Sequence, residues 1–503
     1  MWLGDEMRIL GKRGDEITLL AQPNEDIAKG DYIMIEDANR DKKLIIQVYD
    51  EAYLDVRGIL EEIVRDEVVS SSGDGVEHDP LQMKSISYAI RDMRVIKCKI
   101  RGSIEGGVLT TAVSWLPSRT SSKIKKISIS SLISMNGKLG ERVINIGRAR
   151  DGELINLYAE SFDGQLNIIT GRKGSGKSYF AKLLASKLVE YGAYVIIFDL
   201  NDEYAGLAWK RNGEPSEIAN RVIRLIPSFT LKFSLKYLGL GTFINILYHI
   251  LDLPGTSLRE FIRIWEYLYS QNSLTLKSLY EAIQNVKCNE LVRDALISRY
   301  HTLMDSKLFT DNEEESLRIE ELIAKMVNGG LIIISLNKVY PLTRRMAVEI
   351  ILSKITQLLE RNLIPPIFLF AEEAHLYLRE TYWDDLITRM RHYGVFTTLI
   401  TNQPDVIKDS IYRQADNIFL FNFANDSDLE MVSRTSSTDS DTIKSIVKTL
   451  PPRYLLALGK AVNNLPIVIQ VAPIDLITLG ETKLFFSQLQ KASPLKVDCG
   501  IHR

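Results

Sequence analysis

Gly171-Arg172-Lys173-Gly174-Ser175-Gly176-Lys177-Ser178 matches the pattern G-x-x-x-x-G-K-[ST] at every fixed position. Leu166-Asn167-Ile168-Ile169-Thr170 precedes it as a short apolar strand. Tyr179 to Tyr191 follows as a helix, with Phe180, Leu183, Leu184 and Leu188 on one face. Strand, glycine-rich turn and helix N-terminus together make an anion site. Backbone N–H groups point at phosphate and the helix dipole favours negative charge. Gly171, Gly174 and Gly176 permit backbone conformations that a Cβ would block, with Ser175 between the last two. Lys177 is expected to reach the β- and γ-phosphates, and the Ser178 hydroxyl to ligate Mg²⁺. Tyr179, the next residue, is counted with the nucleotide contacts. ATP and Mg²⁺ are therefore the expected cofactors.

Hydrolysis needs more: a carboxylate on the metal side, and a group that orients or deprotonates water, both where a neighbouring strand ends. Ile367-Phe368-Leu369-Phe370-Ala371-Glu372-Glu373-Ala374-His375 has this form. The apolar run reads as a buried strand with two acids where it emerges. Glu372 takes the metal-side position and Glu373 that of the catalytic base. Asp199 ends the strand Tyr194–Phe198, and either binds Mg²⁺ through water, orients the site or is a turn residue. Gln403 follows the strand Phe396–Ile400, where it could sense the γ-phosphate. Arg389 and Arg391 precede that strand, and a guanidinium there could complete a neighbouring subunit's site.

Composition bounds the rest. A chain of 503 residues holds about three domains on the usual size prior. Hydrophobic residues at 45% and charged residues at 25% are those of an ordinary globular protein. A net charge of −2 gives no global basic field, although a local basic pore remains compatible with it. Cys98, Cys288 and Cys499 form no CxxC pair, which argues against zinc or a disulfide framework. Apolar runs such as Leu331–Leu336 and Ile364–Ala371 fall far short of the roughly 20 residues that cross a bilayer. The N-terminus has no basic n-region or long apolar h-region. A cytoplasmic protein without a membrane segment is expected.

Along the chain, residues 1–115 read as short strands, a small β-barrel with a helix over Leu54–Arg65 and a loop at Ser70–Gly75. Residues 116–146 read as a linker with Lys123, Lys125 and Lys126, then a lead-in strand. Residues 147–226 and 329–473 form one α/β domain whose apolar strands alternate with helices, implying a mostly parallel sheet. The strands are Tyr194–Phe198, Leu331–Leu336, Ile367–Phe370, Phe396–Ile400, Asn417–Phe421, Tyr454–Leu458 and Ile467–Val471. Residues 227–328 are a helical insertion, and 474–503 a tail with no motif.

These residues together resemble the HerA family of hexameric DNA-translocating ATPases, within the group that includes FtsK. The resemblance rests on Gly174–Ser178, on Phe198-Asp199 with Glu203-Tyr204, on Glu372-Glu373-Ala374-His375, and on Arg391-His392-Tyr393-Gly394 before the next strand. Leu450-Pro451-Pro452, Gly459 and Pro466 are similar to the family's closing strands. The chain departs from the family with Thr401-Asn402-Gln403-Pro404 for Ser-Gln-Arg-Pro, with Asp202 for Gly, and with Arg172-Lys173 in the loop. It is identified as a divergent member. The resemblance implies a RecA-like core, a HAS-barrel N-terminal domain, and Arg391 as a finger acting in trans. It implies a homohexamer that moves double-stranded DNA, with a NurA-type nuclease doing any cutting. Rival readings are a motor for another polymer, as in secretion ATPases, and a nucleotide-gated scaffold, as in defence complexes. Lys338, Arg344, Arg345 and Arg379 follow sheet strands and are candidates for a DNA-facing surface.

Overall fold

The computed structural model describes residues 7–37, 42–54, 92–111, 113–135, 140–377, 390–423, 425–436 and 438–479. The chain forms two compact units, one of residues 1–187 and 373–473, the other of 188–372 and 474–503.

The first unit opens with seven strands: β1 (Arg8–Arg13), β2 (Glu16–Ala21), β3 (Tyr32–Asp37), β4 (Lys42–Tyr53), β5 (Arg94–Glu105), β6 (Val108–Thr110) and β7 (Ser122–Lys126). They form an antiparallel sheet in the order β1-β2-β5-β4-β3-β7, with β6 on β5. β2 buries every second residue, and Ile17, Leu19, Ile33, Ile35, Leu44, Ile46, Val48 and Ile96 are fully buried in one core. The sequence predicts a small β-barrel over residues 1–115; the described residues form this sheet, which extends to β7 at Lys126. Among the described residues its terminal strands β1 and β7 are not paired with each other. The helix expected at Leu54–Arg65, apart from Leu54, and the loop at Ser70–Gly75 lie outside the described residues.

The lysine cluster read as linker is strand β7. Ile124 packs on the core, and Lys125 and Lys126 reach Glu36 at 3.1 Å and Asp31 at 3.0 Å. Hydrogen bonds from Lys125 and Lys43 hold the Glu36 carboxyl below its ordinary range. Helix α1 (Ile129–Met135) then leads to the hairpin β8 (Val143–Arg148) and β9 (Leu154–Tyr158), to β10 (Asn167–Thr170), and to helix α2 (Lys177–Glu190).

The second unit contains β11 (Tyr194–Asp199), β12 (Val222–Leu225), β13 (Gly330–Ser335) and β14 (Ile367–Glu372), all parallel, in the order β12-β13-β11-β14. Every residue of β13 and β14 is buried, so these strands read as continuous apolar runs rather than alternations. The helical insertion lies between β12 and β13. Its helices are α3 (Leu235–Asn245), which runs into a π-turn at Ile246–Ile250, α4 (Gly255–Ser270), α5 (Leu276–Asn285), α6 (Glu290–Asp305) and α7 (Ile319–Ala324). A capping box, Thr275 with Ser278, starts α5, and the Asn289 side chain caps α6. The Phe243 ring lies 4.9 Å from Trp265 and 5.1 Å from Phe309, so the aromatic residues of this lobe form its core. Helix α8 (Pro341–Glu360) is the crossover to β14, with proline at its first turn. Residues 474–479 return to this unit, where Arg211 donates its N–H to the Asp475 carbonyl at 2.9 Å. The segment expected as a tail therefore begins as packed chain.

Back in the first unit, β15 (Val395–Thr401), β16 (Asn417–Leu420), β17 (Tyr454–Gly459) and β18 (Ile467–Val471) join the earlier strands in the order β15-β10-β16-β17-β18-β8-β9. β15, β10 and β16 are parallel, and the strands beyond β16 are antiparallel. The mostly parallel sheet expected from the sequence is thus mixed. The seven residues between β17 and β18 are too few for a crossover, which needs a dozen or more. Short helices α9 (Asp409–Gln414), α10 (Asp426–Thr435) and α11 (Ser440–Val447) connect these strands. The N-terminal sheet docks here: Arg101 reaches Asp439 and Thr442 at 2.6 Å, and Gln47 donates to the Pro466 carbonyl at 2.6 Å.

Candidate nucleotide site

β10 is wholly buried between two parallel neighbours, and its end aims the loop 171–176. Gly171 has φ +145°, and a Cβ there would stand 2.6 Å from the Phe421 Cβ. Gly176 has φ +117°. The loop is tied to the exit of β16, where Arg172 N–H donates to the Asn422 carbonyl at 2.7 Å. Ser175 Oγ and Lys177 Nζ both donate to the Arg172 carbonyl, at 2.8 Å and 2.9 Å. Arg172, Lys173 and Gly174 are exposed, while Ser175 and Lys177 are buried. Ser178 and Tyr179 sit half-buried in the first turn of α2. These features suit a triphosphate and its metal: a cradle that side chains would fill, an ammonium at its base, and a hydroxyl at the helix start. Mg²⁺ would neutralise phosphate charge there, with Ser178 as the residue of this loop able to hold it.

Glu373 belongs to the same unit. Its backbone is left-handed, φ +50°, which ends β14 and starts the short turn Ala374–Leu376. Asn402, just past β15, points its amide at Glu373 Oε1 across 3.4 Å. Gln403 is exposed beside it, and its N–H donates to Thr401 Oγ1 at 3.0 Å. Arg391 lies 3.6 Å from Asp416, with its side chain 37% exposed. Asp416 also accepts from Leu166 N–H at 2.9 Å and pairs with Lys460 at 2.8 Å. Arg391 is therefore anchored within its own chain yet open on one side. Arg389 and Arg379 lie outside the described residues.

In the second unit, Asp199 ends β11 fully buried. Its carboxylate accepts three backbone N–H bonds, from Asn201 at 3.2 Å, Glu203 at 3.1 Å and Tyr204 at 3.0 Å. Burial raises this carboxyl above its ordinary range against those hydrogen bonds. The loop so folded delivers Tyr204, whose hydroxyl donates to Glu372 Oε2 at 2.7 Å. Burial first, and the Glu372 carboxylate next, hold the Tyr204 phenol far above its usual value, so it remains a donor. Asp199 thus folds the turn that follows β11. Lys338 and Arg345 follow β13 in the same unit, and Arg344 donates to the Val339 carbonyl.

Sequence reasoning did not assign roles to Tyr204, Asn402 or Asp416. Tyr204 stood inside a motif already quoted. Asn402 stood beside Gln403, one residue from where the reading looked. Among the described residues there is no cluster of three metal-ligating side chains, and no helix long and apolar enough to cross a membrane.

The profile of the family "Helicase HerA, central domain" matches residues 144–355. The DNA double-strand break repair helicase HerA of Saccharolobus solfataricus is 23% identical over 358 residues, spanning 66% of this chain and 70% of that protein. Its counterpart in Sulfolobus acidocaldarius is 24% identical over 356 residues, spanning 65% of this chain and 70% of that protein. Among solved structures, VirB4 of Thermoanaerobacter pseudethanolicus superposes with a TM-score of 0.53 at 16% identity, over 67% of this chain and 98% of that one. The plasmid coupling protein TrwB in complex with a non-hydrolysable ATP analogue gives 0.50 at 13% identity, over 70% of this chain and 94% of that one. At such identities these structures show the fold, that of a P-loop NTPase. With the loop at 171–178, the Glu372-Glu373 pair and the matched central domain all in one chain, this protein is a P-loop ATPase whose residues 144–355 are similar to the central domain of the HerA helicases.

Proposed function

We propose that the chain is an ATP-driven motor that moves double-stranded DNA as a homohexameric ring. The observation that carries the reading is the cradle at 171–178 on the buried end of β10, with Glu373 held by Asn402 in the same unit. In this reading Lys177 neutralises the β- and γ-phosphates, and Ser178 and Glu372 serve the metal side. Glu373 takes the proton of the attacking water, and Gln403 senses the γ-phosphate. Arg391 acts in trans, releasing Asp416 to meet the phosphoryl charge of the neighbouring subunit. Asp199 keeps its loop, and through it Tyr204, in place. The N-terminal sheet takes the part of the HAS barrel, and a NurA-type nuclease supplies any cutting. The relatives named as DNA repair helicases support the DNA reading over a secretion motor or a nucleotide-gated scaffold.

The test is ATP hydrolysis with and without linear duplex DNA, alongside particle mass in each state. The reading expects Mg²⁺-dependent turnover, stimulation by duplex, a six-subunit mass, and loss of turnover in Lys177→Ala. Turnover indifferent to duplex DNA at every length would remove the translocase reading and leave the ATPase.

A further inference from the structure

The phosphate loop is braced from outside by the turn that enters β17. Arg453 donates its N–H to the Ser175 carbonyl at 2.8 Å, and its own carbonyl accepts the Val471 N–H at 2.9 Å. Its Cα lies 3.3 Å from where a Cβ on Gly176 would stand. To make these contacts Arg453 takes φ +66°, a left-handed conformation that glycine adopts freely and other residues seldom do. The bracing uses backbone alone. A glycine would serve it better, yet the position carries one of the largest polar side chains.

That side chain is placed. The guanidinium carbon lies 4.9 Å from the centre of the Tyr179 ring. Tyr179 follows Ser178 directly, in the first turn of α2. Along a loop of this type the lysine serves the β- and γ-phosphates and the backbone amides serve the α and β. A planar guanidinium stacked on a ring keeps its donor edge free to grip phosphate with two parallel hydrogen bonds. Residue 453 is also exposed, so the charge is open to a ligand. Strain at a residue whose backbone task does not need its side chain points to a task for the side chain.

We propose that Arg453, stacked on Tyr179, binds the α-phosphate and nucleoside end of ATP. This rests on the reading of 171–178 as the ATP site. The contact is made equally in the ground state and the transition state, so its loss raises KM and leaves kcat at saturation in place.

Arg453→Gly tests it, because glycine keeps the left-handed backbone and deletes only the side chain. The full-length variant is compared with wild type, Arg453→Lys and Lys177→Ala, using ADP and ATP titrations, steady-state kinetics and thermal melting. The expected result is a melting temperature at or above that of wild type, with ADP and ATP binding weakened by about 10- to 100-fold. KM should rise to match, with kcat kept. Arg453→Lys should recover part of the affinity, since it keeps the charge and loses the plane. Wild-type affinity in Arg453→Gly, with binding lost in Lys177→Ala, overturns the proposal and leaves the ATP site standing. Loss of stability and kcat together, unrecovered by lysine, also overturns it, in favour of a structural role. If wild type and Lys177→Ala bind nucleotide alike, the ATP-site reading falls and this proposal with it.

Discussion

Tyr204→Phe removes one oxygen atom from the interior of the second unit. That hydroxyl donates to Glu372 Oε2 at 2.7 Å, and the two residues are 0% and 2% exposed. Phenylalanine keeps the ring, so no cavity opens. The variant therefore isolates one hydrogen bond to a buried carboxylate, worth about 1.5–3 kcal/mol. A domain of 150–250 residues loses about 2–4 °C per kcal/mol, which places the expected fall in melting temperature at about 3–12 °C. Orientation is lost as well. A carboxylate released from one staggered well into three forfeits about 0.65 kcal/mol toward any single productive position, a factor of about three. If Glu372 serves the metal, half-saturating Mg²⁺ for ATP turnover rises about threefold by the same factor, with kcat at saturating metal retained. Thermal melting without nucleotide and a Mg²⁺ titration at saturating ATP read the two effects separately. Melting and Mg²⁺ curves that both superimpose on wild type would refute the idea that Tyr204 sets this carboxylate.

Glu373→Gln should bind ATP and lose about 10²- to 10⁴-fold in turnover, since an amide keeps the shape but takes no proton; near-normal rates in a purified variant would reassign the base. Arg391→Ala should bind nucleotide yet turn over poorly, and mixing it with Lys177→Ala subunits should restore activity, because one interface can then pair an intact loop with an intact finger. Absence of rescue in verified mixed rings would confine Arg391 to its pairing with Asp416. Arg101→Ala and Asp439→Ala should each lower stability, and the double variant should fall short of their sum by about 0.5–3 kcal/mol; simple additivity would mean that this contact does not dock the N-terminal sheet. Burial acts to raise the Asp439 carboxyl, but the Arg101 charge and the Thr442 hydrogen bonds outweigh it and hold the group below its ordinary pKa. The stabilisation is therefore present above that pH and lost as pH falls through the lower folded value, and Asp439→Asn should flatten the acid limb of a stability–pH profile.

The central strands of the second unit were legible because they are buried on both faces. β13 and β14 carry the apolar runs Leu331–Ile334 and Ile367–Ala371, too continuous for a half-exposed strand. β12 escaped notice: it is four residues long, with Arg224 exposed in the middle. β7 read as linker because its lysines look solvated in sequence, whereas their acids, Glu36 and Asp31, stand in a strand and turn far earlier in the chain. Strand direction was hidden for a similar reason, since alternation and burial look the same in either sense and only the short β17–β18 connection decided it. Glu372 and Glu373 were read as candidates from their place after an apolar run. Their holders were not, because the Tyr204–Glu372 bond joins residues 168 positions apart. A motif marks which groups do chemistry, and the residues that orient them come from whichever element the fold lays alongside.

Consecutive carboxylates with separate tasks need separate restraints, and Glu372 and Glu373 have them. Glu372 is the last residue of a buried strand, and its oxygen takes a 2.7 Å hydrogen bond from a phenol that burial keeps protonated. Such a bond strengthens a carboxylate's hold on its charge and fixes its direction, as a metal-side ligand requires. Glu373 sits one residue on, where the backbone turns to φ +50° and leaves the strand at once. A left-handed residue here costs about 1–2 kcal/mol, which the surrounding structure must supply. Among its contacts is a neutral amide at 3.4 Å, a long and weak bond. A base that must accept a proton gains from that weakness, because a strong donor would stabilise the charged form and lower its appetite for the proton. If Glu372 serves the metal and Glu373 the water, the phenol and the amide are the contacts each role would use. Asn402→Asp would set a second carboxylate where the amide now stands, and repulsion across the same gap should raise the proton affinity of Glu373. The acid limb of the kcat profile should then move to higher pH than in wild type. A profile unmoved by that substitution would detach Asn402 from the base.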